Sequence, residues 1–119
     1  ILLMLDEDEK SREAFYIAVY YAARYGCGLF IAMPEKDSKS SQDAFSFAKS
    51  YLDAIDLEFQ SITLSSTSLV ENLVSLIEEN SISTVMMGGY RSTGLLGRLF
   101  SSNVDRVLEL SPVPVLVFQ

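Results

Sequence analysis

Histidine and tryptophan are absent from this chain, and cysteine occurs once, at Cys27. Without histidine there is no Ser-His-Asp or Cys-His catalysis, no histidine metal ligation and no histidine switch near neutral pH. One cysteine makes neither an internal disulfide nor a cysteine-based metal centre. No run of about 18 apolar residues exists, so no segment reads as a membrane-spanning helix. No basic region precedes an apolar stretch, so no secretory signal is visible. Lysine and arginine are missing between Tyr51 and Tyr90, and the net charge is −7. A protein that binds a phosphate backbone needs a basic stripe, so nucleic acid is not an expected partner. No lysine follows Lys49, which excludes a GxxxxGK[ST] phosphate loop. The expected location is the cytoplasm, with no membrane contact by this domain itself.

What is present is apolar. Hydrophobic residues make up 49% of the 119 and charged residues 21%, enough for one layered core and one domain, residues 1–119. The chain opens on Ile1 inside an apolar run, and the reading expects a piece of something longer. Ile1–Leu5, Leu29–Met33 and Ser83–Met87 read as strands, the first two buried on both faces. Leu57–Leu64 alternates in part and reads as a strand nearer a sheet edge. Val113–Phe118 is the last strand, with Pro114 inside it, which fits an edge. Between the strands lie helical stripes. Ala14, Ile17, Ala18, Tyr21, Ala22 and Tyr25 form the first, stopped at Gly26 or Gly28. Ala44, Phe47, Ala48, Tyr51, Leu52 and Ile55 form the second. Val70, Leu73, Val74 and Ile77 form the third, opened by a capping box, Ser68-x-x-Glu71. A fourth helix starts near Ser102 and carries Val104, Val107 and Leu108. Strands alternating with helices imply an α/β fold, an open parallel sheet with helices on both faces. An uncovered VLVF edge is an aggregation liability that a second copy would remove, so a homodimer through Val113–Phe118 is expected.

In such a fold the ligand crevice lies outside the carboxyl ends of the strands, where the strand order reverses. The loops after Leu5, Met33 and Met87 reach it. Asp6, the first polar residue there, reads either as a ribose-hydroxyl acceptor or as a solvated acid. The cluster Asp6, Glu7, Asp8 and Glu9 reads as a plain acidic turn more readily than as a Mg²⁺ site. Gly88 and Gly89, with the helix start at Ser101 or Ser102, have two readings. In one, Gly88 lets backbone approach a phosphate, and the Ser102 hydroxyl and the N–H groups of Asn103 and Val104 face it. In the other, the glycines make a turn and a serine caps a helix, the commoner use of such residues. Arg91 either neutralises a phosphate or fills its place. Cys27 reads as a packed, inert thiol. No catalytic group stands out, so no enzyme is expected.

The opening ILLMLDEDEKSREAF, the strand LFIAM and the ending VMMGGYRSTGLLGRLFSSNVDRVLELSPVPVLVF resemble the universal stress protein family along essentially the whole chain. The resemblance implies five parallel strands in the order 3-2-1-4-5, an adenine nucleotide alpha hydrolase-like fold, often dimerised through the last strand. One branch of the family binds ATP through G-x2-G-x9-G-[S/T]. Mapped here, the first glycine is Gly88, the second falls on Arg91, the third on Ser101 and the hydroxyl residue on Ser102. Adenine and ribose contacts map to Leu5, Asp6 and Met33, and phosphate contacts to Gly88, beside Met87, and to Ser102 and Asn103. Two of three glycines are replaced, and each replacement adds bulk where backbone was to approach phosphate. The expected function is therefore a non-enzymatic stress-response module acting through dimerisation and partner binding, with no cofactor and weak or lost ATP binding. The alternative is a sensor of an adenine nucleotide (ATP, AMP or a cyclic dinucleotide), including the cytosolic regulatory domain of a membrane transporter. A slow ATPase is the least favoured reading.

Overall fold

A strand inside a layered sheet sends alternate side chains to opposite layers, and the first strand does this without interruption. Ile1, Leu3 and Leu5 enter one core, and Leu2 and Met4 the other. The structure is a computed structural model, and it describes residues 1–6, 8–35, 39–65, 68–88 and 104–119. The strands are β1 (Leu2–Met4), β2 (Phe30–Pro34), β3 (Gln60–Leu64), β4 (Val85–Gly88) and β5 (Val115–Phe118). The helices are α1 (Glu9–Tyr25), α2 (Lys39–Ala54) and α3 (Leu69–Glu79), and residues 104–110 are also helical. The five strands form one parallel sheet in the order β3-β2-β1-β4-β5. Both expectations, the fold class and the strand order, hold.

Two cores flank the sheet. On one face Ala14, Phe15, Ala18, Val19 and Ala22 of α1 and Ala48 and Leu52 of α2 close over Leu3, Ile31 and Met86. On the other, Val70, Leu73 and Ile77 of α3, with Val104 and Val107, close over Leu2, Ala32, Val85 and Met87. Helix α1 ends at Gly26, whose backbone is left-handed (φ 67°, ψ 26°), a conformation glycine takes without a Cβ penalty. β3 and β5 are the sheet edges, as the alternation of the one and the proline of the other suggested. Pro114 stands just before β5, and its carbonyl accepts from the Val85 N–H at 3.0 Å.

Several expectations need correcting. The stripe placed on α1 is rotated: Ala14, Ala18 and Ala22 are buried, but Ile17, Tyr21 and Tyr25 are exposed, while Ser11, Phe15 and Val19 take the inner positions. Tyr51, Ile55 and Leu108 are exposed as well. These large side chains lie at the margins of their stripes, and the small alanines let each helix settle close to the sheet with the margins outside. The capping box at Ser68 does not form. The Ser68 side chain makes no cap bond and instead accepts from Asn72 Nδ2 at 3.1 Å, while Glu71 reaches Arg106 at 3.0 Å.

Candidate functional site

The crevice is built from three neighbouring strand ends. Met4 stands beside Ala32 on one side and Met87 on the other. One residue further along, Leu5 therefore lies between Met33 and Gly88, and the Leu5 N–H donates to the Ala32 carbonyl at 2.9 Å. This is the point where the strand order reverses. The chain goes outward from β1 to β2 and β3, then crosses back to β4 on the other side of β1. Leu5, Asp6, Met33, Met87 and Gly88 thus share one edge of the sheet. The side chains of Leu5 and Met87 are spent in the two cores, and Met33 packs against the first. What these three present to the crevice is backbone.

Asp6 and Asp8 open helix α1 by a chain of local bonds. The Asp6 Oδ1 accepts from the Asp8 N–H at 2.8 Å, and the Asp8 Oδ1 accepts from the Lys10 N–H at 2.8 Å. Asp8 is the N-cap, in extended conformation. In return, the fully buried Ser11 Oγ accepts from the Asp6 N–H at 2.9 Å and lies 3.4 Å from the Met4 carbonyl. Asp8 thus satisfies one orphan N–H of the first turn, that of Lys10, while Asp6 and Ser11 satisfy the N–H groups of Asp8 and Asp6 just before the helix. The two aspartates of the acidic turn thus serve the start of α1. Among the described residues no group of three or more acidic or cysteine side chains is arranged to hold a metal ion; Glu7 lies outside them.

Gly88 has a packing reason of its own. A Cβ built on it would stand 2.7 Å from the Ser11 nitrogen, 3.1 Å from the Ser11 Cα and 3.2 Å from the Lys10 carbonyl carbon. No real Cβ approaches backbone that closely, so the end of β4 touches the first turn of α1 only because residue 88 has no side chain. Arg91, Ser101, Ser102 and Asn103, like Gly89, lie outside the described residues. The phosphate half of the expected site is in that stretch.

The sequence reading missed Arg12. Its guanidinium lies over the Phe47 ring, 4.9 Å from the centroid. With Leu5, Asp6, Asp8, Phe15, Ala44 and Phe47 it lines a pocket of about 20 Å³ at the end of β1, room for about one water. Arg12 is thereby a cation beside Asp6 at the crevice. Its only signal in the sequence was its place on the outer side of the first turn of α1. Cys27, expected to be packed, is exposed just beyond Gly26, because the chain has left the helix and runs over the surface there.

This chain belongs to the universal stress protein family, whose family model matches residues 1–119. No curated sequence matches it. Among solved structures it is similar to a universal stress family protein from Burkholderia pseudomallei, at 16% identity and a TM-score of 0.73, covering 98% of this chain and 92% of that one. A universal stress protein in complex with cAMP is similar at 20% identity and a TM-score of 0.69, over 99% of this chain and 94% of that one. One from Archaeoglobus fulgidus DSM 4304 is similar at 22% identity and a TM-score of 0.77, over 99% of this chain and 42% of that one.

Proposed function

We propose that this chain is a non-enzymatic regulatory module that acts through self-association and partner binding, with ATP binding weak or lost. The observation that carries this reading is β5. Val115–Phe118 is apolar, pairs with β4 on one side only and ends the sheet. An apolar edge is a template for another strand, and a second copy covers it by a contact that is the same on both partners. Two residues that the resemblance maps to nucleotide contacts are also engaged in the fold, since Asp6 accepts from the Asp8 N–H and Gly88 abuts the first turn of α1. Sedimentation equilibrium tests the reading: a concentration-dependent dimer is expected. A chain that stays monomeric at every concentration would sink it.

A second reading, an adenine-nucleotide sensor, is favoured by the convergence of Leu5, Asp6, Met33 and Gly88 at the reversal of strand order and by the relative in complex with cAMP. Mass spectrometry of small molecules released from freshly purified protein separates the two. An adenine nucleotide near one per chain favours the sensor. No release, with melting unchanged by ATP, AMP, cAMP or cyclic dinucleotides, rejects it. On the steric argument from the sequence, the double change Arg91→Gly and Ser101→Gly creates or strengthens ATP binding, read by titration calorimetry.

A further inference from the structure

Away from the crevice, α1 and α2 meet along a seam of rings. Tyr16 of α1 and Tyr51 of α2 stand 5.5 Å apart, centroid to centroid, with their planes at 74°. Tyr16 is 42% and Tyr51 36% exposed, so each ring is packed on one side and wet on the other. The rings that hold this pair are phenylalanines. Phe15 lies 5.6 Å from Tyr16 and 5.5 Å from Tyr51, and Phe47 lies 6.2 Å from each. Arg12 over Phe47 stands one turn nearer the crevice than Tyr16 against Tyr51, since both steps are four residues. The other tyrosine contacts join neighbours on α1 itself: Tyr20 with Tyr21 at 5.9 Å, and Tyr21 with Tyr25 at 5.4 Å. Among the described residues, Tyr16 with Tyr51 is thus the tyrosine pair that bridges two helices.

We propose that Tyr16 and Tyr51 are an oxidative modification site, coupled by a one-electron oxidant of the peroxidase–peroxide class into an intramolecular dityrosine bond that staples α1 to α2. Each phenol gives up one electron and its hydroxyl proton. The phenoxyl radical left behind shares its unpaired electron with the ring carbons beside the oxygen. Two such radicals form a carbon–carbon bond between those carbons, the hydrogen on each joined carbon moves to the oxygen, and both rings become aromatic again. The pair loses two hydrogen atoms, and one hydrogen peroxide becomes two waters. The structure favours this step in three ways. Exposure gives an oxidant access to both rings and leaves them room to turn from edge-on into bonding contact. A radical on one ring finds its partner already beside it, so no encounter between molecules is needed. Competing donors are few nearby: the flanking phenylalanines lack the phenol, and tryptophan is absent. Cys27 lies past the end of α1, about 14 Å or more along the helix from Tyr16. The bond would fix the seam that continues, through Arg12 and Phe47, to the wall of the crevice.

The test uses the whole, unaltered chain, diluted and treated with hydrogen peroxide and a haem peroxidase. Three results are expected: blue dityrosine fluorescence in a species that still runs as one chain under denaturing electrophoresis, a mass lower by two hydrogens, and proteolytic fragments joined at Tyr16 and Tyr51. The linked chain melts roughly 5–15 °C higher, because the bond closes a loop of about 35 residues in the unfolded state. Tyr16→Phe and Tyr51→Phe each keep the ring and remove the phenol. Each is expected to cut the intrachain product roughly tenfold or more, while Tyr20→Phe leaves it unchanged. Circular dichroism before oxidation checks that the variants are folded, and the fragment map of the unaltered chain stands without them. Dityrosine that is absent, that forms only between chains, or that joins only Tyr20, Tyr21 and Tyr25 overturns the proposal. So does an intrachain yield that either phenylalanine variant at the pair leaves intact.

Discussion

Gly88 sits where β4 ends, and its missing side chain is what allows the first turn of α1 to rest against it. Replacement by alanine pushes a methyl carbon to within 2.7 Å of the Ser11 nitrogen, and backbone on both sides gives way only at a cost. Gly88→Ala is expected to lose about 1–3 kcal/mol in urea unfolding, the usual penalty of overpacking. A loss below about 0.3 kcal/mol would mean that the helix start moves freely. Ser11 and Asp8 serve the same turn by hydrogen bonds. Ser11→Ala removes the acceptor of the half-buried Asp6 N–H, and is expected to cost about 1 kcal/mol. Asp8→Ala removes the N-cap, about 1 kcal/mol. Because the three residues share one turn, their effects are not additive, and a double-mutant cycle between Asp8 and Ser11 measures the coupling.

At the scale of elements, α3 is tied to the helical run over 104–110 by Arg106 and Glu71 at 3.0 Å. A hydrogen bond from its own backbone N–H, and then Arg106, hold the Glu71 carboxyl below its ordinary value of 4.5. A carboxylate with a lowered folded-state pKa adds stability above the unfolded value and loses it as pH falls through the folded one. The stability difference between the unaltered chain and Glu71→Gln is therefore expected to be constant at neutral pH and to shrink below 4.5. The pair is exposed and the effect small, so unfolding titrations at several pH values are the measurement. A difference that grows toward acid would contradict the sign. Helix α1 makes a second element-scale test. Gly26→Ala forces a side chain into the left-handed cap (φ 67°), with an expected loss of about 1 kcal/mol and a lower melting temperature.

For the whole molecule, the sheet order decides which surfaces are available. β5 and β3 are edges and β1 lies in the middle, so self-association is expected to depend on Val117 but not on β3. A Thr63→Pro change at the β3 edge is expected to leave the sedimentation behaviour unaltered. If it dissociated the dimer, the association would run through the opposite edge.

The order of elements was legible in the sequence because periodicity is a local signal: buried parallel strands read as apolar runs and helices as stripes. Asp6, Met33 and Gly88 were legible as neighbours because a parallel α/β sheet gathers its strand ends in one crevice. What sequence could not decide was the phase of α1. Ile17, Tyr21 and Tyr25 fit the helical stripe as well as Phe15 and Val19 do, and only the close seat of Ala14, Ala18 and Ala22 on the sheet turned the tyrosines outward. Nor did it show that Asp6 and Asp8 cap a helix, or that Gly88 abuts Ser11, since both depend on where β4 ends relative to α1. Residue type fixed the alternating fold and the lack of histidine chemistry. Tertiary packing decided which glycine and which acids serve the start of α1 and which aromatic rings stand at the surface, because contact across elements is set by register and distance rather than by spacing along the chain.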